Sequence, residues 1–131
     1  MSEREPLRER PSHRFAGDEH LIDLREASEK LGAEAPREPA SHQQVSLLRD
    51  GPVSLILLRF EAGAEMKGHQ AEGLVAMHVV SGAITVSTPS AVHELGPGQI
   101  LVLKSGVPHG LRASAASEML LSIHLDEKPA T

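Results

Sequence analysis

The chain has 131 residues, 13 Lys plus Arg against 18 Asp plus Glu, a formal net charge of −5, and no cysteine, tryptophan or tyrosine. That length suits one domain burying roughly two-thirds of its unfolded surface, and the missing cysteines exclude a disulfide framework, a thiolate metal site and a cysteine nucleophile. Mild acidity without a basic stripe or stacking aromatics argues against nucleic-acid binding, and no apolar run reaches the roughly 18 to 20 residues of a membrane-crossing helix, so a cytoplasmic protein without membrane contact is expected.

Charge divides the chain, because residues 1–50 carry 19 of its 31 charged side chains while nine of its 11 glycines follow from Gly51 onward. Residues 1–17 have almost nothing to bury and are expected to form a disordered arm, and their opening lacks the apolar core of a signal peptide. Residues 18–40 are an expected strand and helix extension. In it Leu21-Ile22-Asp23-Leu24 reads as a short strand, and Asp23 with Glu26 forms a helix-start signal for a helix that Gly32 would end. So short a helix needs Leu24, Ala27 and Leu31 to dock on a larger body.

Residues 41–127 read as a single β-barrel domain. Candidate strands are Val45–Arg49, Val53–Phe60, Leu74–Val80, Ala83–Ser87, Val92–Leu95, Ile100–Leu103, Leu111–Ala113 and Met119–Leu125. Turn-forming residues separate many of them, as at Asp50-Gly51-Pro52, Ser81-Gly82 and Gly96-Pro97-Gly98. Strands this short and numerous predict an all-β sandwich or jelly roll. In Leu74–Val80 the period of two puts Val75, Met77 and Val79 on one face and Ala76, His78 and Val80 on the other. Both faces are largely apolar, so both should be covered, one by the barrel interior and the other by a second layer or a partner subunit. A homodimer is the expectation.

Two stretches, Gly63 to Gly82 and Gly98 to Ala113, resemble the paired motifs of the cupin superfamily. Gly63, His69, Gly82, Gly98, Gly106 and His109 fall on motif positions, while Ala71 and Val75 stand where the family usually has its second His and its Glu. Lys104 and Ala113 replace the proline and the Asn of the second motif. Over residues 40–125 the chain is similar to small single-domain bacterial cupins of the conserved-barrel, RmlC-like type. The resemblance implies a double-stranded β-helix, that is, a jelly-roll barrel, with a short N-terminal helical arm. It implies no substrate.

In metal-using cupins imidazoles and a carboxylate hold a divalent ion and leave a position open for substrate or dioxygen. Carried over, that leaves His69 and His109 as metal ligands, with Glu72 the candidate third, for an ion such as Fe, Mn, Ni or Zn. His78 has the wrong parity for the site, and the direction of His124 is open. Val75, Met77, Ile100 and Val102 are the candidate lining of a small apolar pocket with the two histidines at its rim. The first functional reading is a barrel that binds a small molecule through His69 and His109, with at most weak metal binding. The alternative is a metal-dependent oxygenase or isomerase using His69, His109 and a nonstandard third ligand. A third is a structural or sensing dimer. No G-x-S-x-G setting or phosphate loop offers another chemistry.

Overall fold

A computed structural model describes residues 18–34 and 41–126; the expected arm over residues 1–17 and the end of the extension lie outside them. Among the described residues one helix, α1 (Leu24–Gly32), precedes nine strands: β1 (His42–Asp50), β2 (Val53–Phe60), β3 (Glu65–His69), β4 (Gly73–Ser81), β5 (Ile84–Ser87), β6 (Val92–Leu95), β7 (Ile100–Leu103), β8 (His109–Ala113) and β9 (Ser117–Leu125). The strands form a five-stranded sheet in the order β1-β2-β9-β4-β7 and a four-stranded sheet in the order β3-β8-β5-β6. Every pairing is antiparallel. The result is a two-sheet β-barrel of jelly-roll type, built because most strands have one apolar side to bury.

Strand β4 shows the alternation most clearly: Val75, Met77 and Val79 are buried, and Ala76, His78 and Val80 are half-buried. The inward residues join Leu58, Phe60, Ile84, Val86, Leu111 and Met119 in one interior cluster. Strand β7 corrects the expected pocket lining. Its register pairs Ile100 with His78 and Val102 with Ala76, so those side chains share the outer face, 56% and 52% exposed. Leu101 and Leu103 point inward beside Met77 and Val75 instead. Flanking turn residues left the parity of this four-residue strand open, and pairing with β4 fixes it.

A second correction concerns Leu21 to Leu24. No strand forms there, and Leu21 is fully exposed. The Asp23 carboxylate accepts the Glu26 N–H at 3.1 Å, which satisfies an orphan donor of the first turn and starts α1 at Leu24. Helix α1 lies against β1 and β2. Leu31 of α1, Leu47 of β1 and Leu57 of β2 are each buried without belonging to the interior cluster. Polar groups complete the dock. Arg59 donates to Ser28 Oγ (3.0 Å) and Glu118 Oε2 (3.2 Å), Ser81 donates to Glu118 Oε1 (3.2 Å), and Ser28 donates to Glu118. Among the described residues no helix is long and apolar enough to cross a membrane.

The strand that sequence reading missed is β3. Only Met66 of its five residues is partly buried and the rest are exposed, so no apolar alternation announces it. The turn from β4 to β5, by contrast, rests on a sequence-legible glycine. Gly82 has φ +89°, and a Cβ there would lie 2.2 Å from Ser117 Oγ and 2.5 Å from the Ala116 carbonyl oxygen. Ser117 cannot move freely, because its hydroxyl accepts the Ala83 N–H at 2.9 Å. Gly98 has a similar φ of +85° with nothing within 4 Å. Gly98→Ala should therefore cost only the roughly 1–2 kcal/mol of left-handed backbone, while Gly82→Ala should cost clearly more. Urea denaturation of both variants checks the difference.

Candidate functional site

One end of the four-stranded sheet brings the two motif histidines together. Strands β3 and β8 pair Met66 with Leu111 and His69 with His109. Three residues on β3 thus span two on β8, which is a bulge. Gly68 supplies it in the left-handed region, at φ +67°. Without the extra residue, His69 would have the opposite parity to Met66 and face outward. The bulge therefore turns His69 to the same face as Met66 and His109.

The two imidazole rings are 6.4 Å apart between centroids and inclined by 31°. His69 is exposed, and His109 is half-buried at the start of β8. His109 Nδ1 lies 3.0 Å from the Val107 carbonyl oxygen. A carbonyl only accepts, so Nδ1 carries the proton and donates, which leaves Nε2 of the neutral ring with its lone pair. A hydrogen bond of this kind also fixes ring orientation.

Below the pair lies a cavity of about 170 Å³. Val75 and Met77 from β4 line it together with Leu58, Met66, Leu111, Met119, Leu121 and Ile123, while Gln70 and Ala71 join the histidines. Among the described residues no charged side chain lines it. The structure thus brings together four of the residues singled out in the sequence: His69, His109, Val75 and Met77. It leaves out Ile100 and Val102 on the outer face. Glu72 is exposed and not part of the lining, with its backbone carbonyl accepting the Asp126 N–H at 2.9 Å. His78 lies on the outer face in register with Ile100 and Leu120, and His124 is exposed in register with Leu74 and Val53. By sequence Met66 reads as a core or lip residue at a strand end, and the structure places it in the cavity lining. Met119, Leu121 and Ile123 were visible as the more apolar face of the last strand, but not as cavity wall.

These residues do not fit the divalent metal that the resemblance implies. Ala71, at the second motif position, lines the cavity without a donor, and so does Val75 at the carboxylate position. Among the described residues no group of three or more His, Asp or Glu could hold an ion. The ring spacing agrees with the donor count. An ion about 2.0–2.1 Å from an imidazole nitrogen is about 3.2 Å from the ring centroid, so two rings on one tetrahedral ion stand about 5.2 Å apart. The observed 6.4 Å is wider than that.

No family model matches the sequence, and no curated protein is detectably similar to it. Solved structures are similar. A conserved protein of unknown function from Streptococcus pyogenes superposes with a TM-score of 0.68 at 22% identity, covering 87% of this chain and 96% of that one. A cupin superfamily protein from Desulfitobacterium hafniense gives 0.67 at 15% identity over 86% and 96%. An RmlC-like cupin from Shewanella frigidimarina gives 0.62 at 17% identity over 68% and 80%.

The donor count yields a direct expectation. Protein purified without chelator should carry well below one divalent metal per chain by mass spectrometry, and Ala71→His/Val75→Glu, which restores both missing donors, should raise that toward one. Stoichiometric metal in the unaltered chain, lost in His69→Ala/His109→Ala, would contradict the analysis.

Proposed function

Taking the cupin fold of this small domain as the premise, we propose that the protein binds a small, mostly apolar molecule inside the barrel, with His69 and His109 meeting its polar end. The observation that carries this reading is the cavity itself. A space of about 170 Å³ walled by aliphatic and thioether side chains, with two imidazoles and Gln70 at one side, has the composition of an ordinary small-molecule site. An apolar wall gains from contact with an apolar ligand, and the few polar groups orient it. The alternative, a metal-dependent oxygenase or isomerase, needs a third ligand, and the exposed position of Glu72 gives it no support.

A thermal-shift screen of small neutral molecules tests the reading, because a ligand that binds only the folded state raises the melting temperature. Val75 is 4% exposed and faces the cavity, so Val75→Phe should fill part of it. The variant should stay folded, with its own melting temperature kept or raised, and lose the response to every active compound. Shifts that persist in Val75→Phe would count against the barrel as the binding site.

We further propose that a second copy of the chain covers the outer face of the five-stranded sheet. Leu120, His78 and Ile100 stand in one cross-strand row, and Ser122, Ala76 and Val102 in the next. None of the six is an Asp, Glu, Lys or Arg, so placing like against like sets no carboxylate against a carboxylate and no ammonium or guanidinium against its own kind. The outer face of the other sheet differs, with Glu65, Arg112, Thr85 and Glu94 in register across it. Sedimentation should give about twice the 14.0 kDa chain mass, and Val102→Glu should halve it. A monomeric unaltered chain at tens of micromolar would overturn this.

A further inference from the structure

Four features of the cavity define a ligand class, and the inference drawn from them rests on the barrel being a small-molecule site. The first is size. An apolar cavity of roughly 150 Å³ accommodates benzene, so about 170 Å³ suits one six-membered ring with a small substituent. The second is the distribution of sulfur. The chain has four methionines, and Met66, Met77 and Met119 all line this one cavity, Met77 and Met119 being 0% and 1% exposed. Thioethers make favourable contacts with aromatic rings, yet among the described residues no Phe, Tyr or Trp lines the cavity with them.

The third feature is the lack of charge. With no Asp, Glu, Lys or Arg among the described lining residues, an ionised head group drawn into the barrel would lack a partner and lose its hydration. The fourth is the histidine pair. His109 donates through Nδ1 to the Val107 carbonyl, so its neutral ring offers Nε2 as an acceptor, and the matching ligand group is a hydroxyl donor. His69 carries one ring N–H of its own to donate. A hydroxyl oxygen about 2.8 Å from a nitrogen of each ring lies about 3.9 Å from each centroid. With the centroids 6.4 Å apart, such an oxygen subtends an angle of about 110°, as a hydroxyl does when it donates to one partner and accepts from another. A hydroxyl therefore fits between the two rings when one nitrogen of each is turned toward it.

We propose that the barrel takes a neutral monocyclic phenol, its ring among Met66, Met77 and Met119 and its hydroxyl donated to His109 Nε2 while accepting from His69. Recognition is by shape, thioether contact and two hydrogen bonds, and no bond is made or broken.

The test is calorimetric titration of the full chain at pH 8 with phenol, toluene, cyclohexanol and benzoate. Phenol has an ordinary pKa of about 10, as the tyrosine side chain does, and stays neutral at that pH. Phenol should bind at least about tenfold more tightly than toluene, because its hydroxyl makes two hydrogen bonds and one of ordinary strength is worth about that factor, and more tightly than cyclohexanol, while benzoate should bind weakest. His109→Ala should collapse the ratio of phenol to toluene affinity. Met77→Leu, which keeps volume but removes sulfur, should narrow the ratio of phenol to cyclohexanol affinity, and far-UV circular dichroism confirms that both variants fold. Benzoate binding more tightly than phenol, or a phenol to toluene ratio unchanged in His109→Ala, overturns the inference while leaving a small-molecule barrel. If none of the four probes binds but other compounds raise the melting temperature in a Val75→Phe-sensitive way, the phenol class alone is wrong. If nothing binds at all, both proposals fall.

Discussion

The antiparallel ladder between β4 and β9, which runs from Gly73 opposite Leu125 to Ser81 opposite Glu118, is the constraint on which the other features depend. It needs very close backbone approach at one end, where a Cβ on Gly73 would lie 2.1 Å from the His124 carbonyl oxygen. Once that register is set, the period of two does the rest. Val75, Met77 and Val79 meet Ile123, Leu121 and Met119 on the inner face, and Ala76 and His78 meet Ser122 and Leu120 on the outer one. At the far end a register shift between Val79 and Ser81 brings Ser81 opposite Glu118, the carboxylate that also accepts from Arg59 and Ser28. Cavity wall, outer face and helix dock are thus three consequences of one pairing.

The two sheets handle polar groups differently. Outside, the four-stranded sheet carries charged pairs such as Arg112 with Glu65 at 3.7 Å, between half- and largely exposed side chains, which contribute little to stability. Inside, histidine is the only titratable type among the described residues of the cavity lining, with His69 exposed and His109 half-buried. Burying a lone carboxylate at Val75 would cost several kcal/mol without a cation to pair with it. A barrel with valine there has an apolar floor that stands without a metal. The same substitution that removes a ligand of the usual cupin ion therefore improves the cavity as a place for an uncharged molecule.

Position in the cavity also explains why the histidines are not equivalent. His109 is held by Val107 at the entry to β8 and has a defined tautomer. His69 follows a left-handed glycine on a short, exposed edge strand, so its direction depends on the bulge and its ring is the more accessible of the two.

Much of this was legible in the sequence. All eight strands expected from apolar runs between turn residues exist, because turn chemistry and period-two burial are local signals, and Asp23 and Gly32 marked the helix for the same reason. The facing of Val75, Met77 and Val79 also followed from alternation alone. What the sequence could not decide was whatever depends on pairing. Leu21 to Leu24 had strand-like residues but no partner strand, so the Asp23 cap prevailed. Ile100 and Val102 were apolar whichever way they faced, and only the ladder with β4 turned them outward. β3 had a single partly buried residue, Met66, and its bulge at Gly68 broke the alternation between Met66 and His69 that would have revealed the strand. The two motifs named His69 and His109 in advance, but their 6.4 Å spacing came only from the tertiary structure, because a distance between two strands is set by register and bulge rather than by either segment alone.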